Sequence, residues 1–202
     1  MVATLTVGLL FYVMPDSLTV GPRWLLFVIV AALLIPTSVF HLLGRSDLNE
    51  IFGYTNLVVI TLAMLSSLVL LITRLPGHKD SPVMLLRAAA ALWVGNILVF
   101  ASWYWRLDGG GPNVREKLTF HKDGAFLFPQ MIMDPELRKQ MGEDTWNPGF
   151  VDYLFLAFNT STAFSPTDVP VLSRWAKVMM IVQSLISLAT VVLLAARAVN
   201  IL

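Results

Sequence analysis

The chain has 202 residues, 56% of them hydrophobic and 13% charged, with a net charge of +1 and a mean hydropathy of +0.72. A water-soluble fold cannot bury so large an apolar fraction, so lipid is expected to solvate most of it; the near-zero charge gives no basis for nucleic-acid binding. Cysteine is absent, which excludes disulfides, thiolate catalysis and cysteine-ligated metals.

Residues 1–14 have no basic n-region and no small-residue cleavage site, so they are read as mature chain. A bilayer core of roughly 30 Å needs about 20 apolar residues per helix. Residues 2–14 fall short of that, reaching only ~20 Å as a helix. They are either an interfacial helix or a short fifth span, and the span is favoured. "PDSLTVGP" (15–22) is the turn that follows. Full-length spans are expected at 23–43, with Pro36 a kink point, and at 51–73, 83–105 and 171–196. The fold class is thus an all-α membrane protein with four to five transmembrane helices.

Basic residues in short loops set the orientation. Arg74 and Lys79 lie between the second and third long spans, and Arg87 follows closely, whereas "GRSDLNE" (44–50) offsets one Arg with Asp47 and Glu50. The chain is therefore expected in the plasma membrane, with 74–82 and the C-terminus cytoplasmic and 106–149 extracytoplasmic. Arg174 and Lys177 then fall on the outer side, against the trend. Two parts are expected: N-terminal transmembrane helices over 1–82, and a second module over 83–202. In the second, 83–105 is an outer helix, 107–149 an extracytoplasmic loop and 171–200 an inner helix.

The segment 107–149 holds five Lys/Arg against seven Asp/Glu and is rich in turn formers, as in "DGGGP" and "EDTWNPG". "DPELRKQMGE" predicts a short surface helix capped by Asp134, with Pro135 at its first position. "AFLFPQMIM" is too apolar for a free loop and is expected to fold back onto the membrane part. Next, "FVDYLFLAFNTSTA" (150–163) is too short to cross and ends in four polar residues, Asn159 to Thr162. Irregular polar backbone at membrane depth must be buried in protein or line a water-filled cavity. A helix that enters, stops midway and returns through "FSPTDVP" satisfies both constraints; an interfacial helix with a surface turn is the plainer alternative.

The order of short helix, Thr-rich end, Asp, Pro two residues on and long helix resembles the pore loop and inner helix of tetrameric potassium-type channels. That likeness covers about 83–105 and 150–200. It implies a homo-oligomer, a tetramer if channel-like, that passes monovalent cations. It places Thr162 at the end of the pore helix and Phe164, Ser165, Pro166 and Thr167 among the filter positions, with Asp168 at the outer mouth. "DGGGP", "FVDYLF", "AFSPTD" and "ARAVNIL" also resemble a group of uncharacterised bacterial integral membrane proteins. The potassium filter itself is missing. No glycine follows Gly149, and Pro166 fixes its own φ, so stacked carbonyl rings are not expected. Hydroxyls of Thr162, Ser165 and Thr167 would then form any narrow part, with weak or no selectivity or no conduction.

On the last helix Gln183, Ser187 and Thr190 follow i, i+4, i+7 and share one face. That stripe suits a wet lumen or close helix packing, and packing is favoured. Two other function classes stay open: a scaffold or partner subunit that uses the outer loop, and a membrane hydrolase or transferase built on His121, Asp123 and Asp144. No nucleophile stands at a recognisable spacing from these, and His41, His78 and His121 form no ligand motif. No enzyme activity, metal or cofactor is therefore expected.

Overall fold

The computed structural model describes residues 2–74, 81–118, 120–121, 123–162 and 169–199. Its helices are α1 (Val2–Val13), α2 (Arg23–Leu42), α3 (Ser46–Arg74), α4 (Pro82–Leu107), α5 (Pro112–Arg115), α6 (Pro129–Ile132), α7 (Pro135–Gln140), α8 (Phe150–Thr162) and α9 (Arg174–Val199). Among the described residues the extended pairing is one antiparallel bridge, between Phe126 and Val171. Helices α2, α3, α4 and α9 are long and apolar enough to cross a membrane. The 12 residues of α1 do not reach that length. Two compact units form, one of Met1–Val99 with Ile186–Leu202, the other of Phe100–Leu185.

In the first unit α1 packs on α2 and α3, and α2 packs along α3. Helix α1 buries Ala3, Thr4, Val7, Gly8 and Phe11, one stripe of the helix. A Cβ on Gly8 would lie 3.3 Å from the Phe27 ring, so the small residue lets the two helices approach. Helix α2 continues through Pro36, which offers no N–H to the carbonyl of Ala32. Side chains work beside that gap. Thr37 Oγ1 donates to Leu33 O at 2.7 Å and Ser38 Oγ to Leu34 O at 2.7 Å. Buried Asn49 on α3 donates to Thr37 O at 2.8 Å, tying α3 to the same turn. The helix ends on Gly44 at φ +68, with Gly44 N–H donating to His41 O and Arg45 N–H to Phe40 O. This closing pattern satisfies carbonyls that the last turn leaves open. Arg87 on α4 is exposed.

The second unit is organised by aromatic rings. Phe126 is fully buried and meets Tyr104 at 5.2 Å, Tyr153 at 6.2 Å and Trp175 at 6.1 Å between ring centres. Phe128 meets Tyr153 at 5.4 Å and Trp146 at 5.5 Å. The apolar phrase "AFLF" thus packs on α4, α8 and α9, which is why it could not remain a free loop. Its backbone is anchored too: Leu127 N–H donates to Pro170 O at 2.9 Å and Leu172 N–H to Ala125 O at 2.8 Å. Helix α7 forms as its sequence predicts, with Asp134 accepting from the N–H groups of Glu136 and Leu137 and Pro135 in the first turn. Arg138 on α7 stacks 3.9 Å over the Phe120 ring.

Candidate functional site

The chain leaves α4 at Asp108 and turns sharply through Gly109, Gly110 and Gly111, at φ +54, +76 and +86. Only glycine adopts three such angles in a row without strain. The turn brings α5 back beneath the end of α4, and Arg115 caps it: its guanidinium donates to Asp108 O and, at 2.6 Å, to Trp105 O. A cation is favourable at a helix C-terminus, where carbonyls lack partners. The Asp108 carboxylate faces inward and is saturated. Oδ1 accepts from Ala125 N–H at 2.5 Å and Oδ2 from the Tyr153 hydroxyl at 2.7 Å. The Arg115 guanidinium lies 5.2 Å over the Tyr153 ring. Asp108, Arg115, His121 and Tyr153 are all buried. Buried charges are tolerated where hydrogen bonds replace their lost water, as those of Asp108 and Arg115 do here.

His121 completes the cluster, with Nε2 3.7 Å from Asp108 Oδ2 and no exposure of either side chain. That distance is beyond a hydrogen bond, and among the described residues neither ring nitrogen has a hydrogen-bond partner. Its backbone N–H donates to Trp146 O, and its ring meets Trp146 edge-on at 6.5 Å. Burial pulls the imidazole pKa below its ordinary value; Asp108 opposes this, Arg115 adds to it and Asp123 opposes it. Two glycines make room for the pair. A Cβ on Gly124 would stand 2.7 Å from Asp108 Oδ1 and 2.8 Å from His121 Nε2, and one on Gly109 would stand 2.5 Å from His121 Cε1. Gly124→Ala is therefore expected to destabilise the second unit by about 1–3 kcal/mol through overpacking. Thermal melting of the purified protein in micelles checks this; an unchanged midpoint would contradict the packing.

A second polar cluster joins α4, α8 and α9. Tyr104 hydroxyl donates to Gln183 Oε1 at 2.5 Å, and Gln183 Nε2 donates to Ala157 O at 2.7 Å and Ser161 Oγ at 2.8 Å. Ser184 Oγ donates to Thr160 O at 3.3 Å. These pairs, with Tyr153 and Trp175 on the two sides of Phe126, keep a near-constant offset along the two helices. Helices α8 and α9 therefore run side by side in the same direction. The start of α8 is closed by Asp152, whose Oδ2 accepts from Gly149 N–H at 2.7 Å.

The other residues of the polar stripe are also engaged with protein. Ser187 Oγ accepts from Trp93 Nε1 at 3.1 Å, and Thr190 Oγ1 donates to Ile186 O and Ser187 O. Gln183, Ser187 and Thr190 are all buried. Thr162 stands half-buried at the end of α8 with its hydroxyl on Asn159 O at 3.0 Å. Phe164, Ser165, Pro166, Thr167 and Asp168 lie outside the described residues, as does His78. Among the described residues no group of three or more His, Cys, Asp or Glu is placed to hold a metal ion. Of the residues named for hydrolysis, Asp123 and Asp144 are exposed while His121 is sealed. The side chains of the Asp108–His121 pair are both sealed from solvent.

Asp108, Arg115, Tyr153 and Tyr104 were not legible as a cluster in the sequence. The one available signal was an acidic residue set directly before three glycines. No family model, curated protein or solved structure matches the chain. What its helices define is a class: an all-helical protein with four segments fit to cross a membrane.

Proposed function

We propose that the chain is a multi-pass membrane protein of the pore-loop type, in which α8 enters the bilayer, stops and returns to the side it came from before α9 crosses. The parallel course of α8 and α9 carries this reading. Two consecutive helices that run in the same direction need a connection that travels back along the first. Helix α8 has 13 residues, about 20 Å of helix, too little to cross. Both helix starts rest on Phe126, and the chain just before α9 bonds to residues 125 and 127.

In this reading 107–149 lies on the extracytoplasmic side of the plasma membrane as a cap over the helix starts, and the C-terminus lies in the cytoplasm. The ion path, where one forms in a homo-oligomer, runs through Thr162 and the 164–168 stretch. The stripe of Gln183, Ser187 and Thr190 serves packing. The outward face of α9, with Val178, Ile181, Val182, Leu185, Leu188 and Val192, is apolar and exposed. A lumen lined by such a face dewets readily, which suits weak, unselective flux or none. Single cysteines at positions 149 and 171 are expected to label from the same, outer side in intact cells. Labelling from opposite sides would sink the re-entrant arrangement.

The scaffold reading draws on the same consumption of polar groups. Reconstitution in liposomes separates the two: a cation current with little sodium–potassium preference supports the pore. A correctly assembled oligomer without flux leaves the capped outer segment as the working surface.

A further inference from the structure

We propose that the Asp108–His121 pair is an acid-sensitive latch, and that proton uptake by His121 loosens residues 123–128 from the first turns of α8 and α9. The inference rests on the cap's geometry and needs no pore. His121 is fully enclosed, and among the described residues no acceptor lies within hydrogen-bond distance of either ring nitrogen. An imidazolium has two N–H donors to satisfy. The nearest anion, Asp108 Oδ2, is 3.7 Å away and already accepts from Tyr153, while Oδ1 accepts from Ala125 N–H.

Among the described residues the other charges around the ring are Arg115, from α5, and Asp123, on its own segment. Arg115 repels a second cation. Asp123 is exposed, so water screens its attraction. The ring cannot shift freely, because Gly109 and Gly124 pack against it so closely that a Cβ on either would clash. A proton is therefore accommodated by drawing Asp108 away from Tyr153 and Ala125, or by letting water in. Either event strains the same short stretch whose Ala125 and Leu127 hold Leu172 and Pro170.

The sign follows from linkage. A histidine held below its ordinary value of 6.5 leaves stability intact above that pH. Stability is lost as the pH falls from there towards the lowered value, because the opened state binds the proton more readily.

The test is hydrogen exchange of the Leu127 and Leu172 amides in the full-length protein in micelles, corrected for intrinsic rates, between about pH 7.5 and 5.5. In that window protection is expected to fall by up to about tenfold per pH unit below the ordinary imidazole value. In His121→Gln protection is expected to be flat with pH. Flat protection in the wild type, protection that rises with acid, or an unchanged acid response in the variant overturns the latch. Should the variant fail to fold, the His121 ring titration in the wild type decides, with exposed His41 as internal reference. Titration below 6.5 supports the latch, and titration at or above it shows a stabilising ion pair instead.

Discussion

Asp108→Ala is expected to lower the stability of the second unit by about 2–5 kcal/mol, the cost of leaving two buried donors without their acceptor. The carboxylate accepts from Ala125 N–H and the Tyr153 hydroxyl, so its loss orphans two donors at once. It also takes a negative charge out of a cluster in which the Arg115 guanidinium is buried and bonded to the carbonyls of Asp108 and Trp105. Asp108→Asn is expected to fall between the two, because an amide keeps one accepting oxygen but loses the charge. Equilibrium denaturation in micelles, followed through Trp146 beside His121, gives the ordering wild type, Asn, Ala. Equal stability of all three would mean that the cluster is opened in the membrane-embedded protein.

Gln183→Leu is expected to be nearly as damaging, at about 2–4 kcal/mol. Interhelical hydrogen bonds in membranes contribute on average ~0.6 kcal/mol and at most ~1.7 each. Gln183 makes three, to Tyr104, Ala157 and Ser161. The substitution further leaves the Tyr104 hydroxyl buried without an acceptor, which adds a desolvation cost. The same variant separates two roles. If Gln183 holds α8 against α9, stability falls while any flux in liposomes keeps its selectivity. Unchanged stability with altered flux would place the residue on a water path.

Much of the architecture was legible because it follows from local rules. Apolar runs of bilayer length marked α2, α3, α4 and α9. Asp134 before Pro135 marked the cap of α7, since both residues act within one turn. Of "AFLFPQMIM", read as folding back, Ala125, Phe126 and Phe128 are buried while Ile132 stays exposed. The candidate site was less legible. His121 drew attention only as an exposed ingredient for hydrolysis, and the structure buries it completely. Asp108 and Arg115 looked like ordinary charges of a solvated loop. No local rule pairs a residue at 108 with hydroxyl 153, 45 positions away.

Composition and periodicity by themselves determined that this is a helical protein rich in apolar segments, four of them long enough to cross a membrane; residues 2–14 were favoured as a fifth span, and α1 is too short for one. Those properties depend on side-chain transfer energies and the fixed rise of a helix, both of which can be read residue by residue. Only the tertiary structure decided that the stripe of Gln183, Ser187 and Thr190 meets protein and that α8 lies parallel to α9. It alone also showed that the glycine turn after α4 folds Arg115 and His121 around a buried carboxylate. A polar face on a helix is silent about its partner, and a charge is silent about its depth, until other elements pack against them.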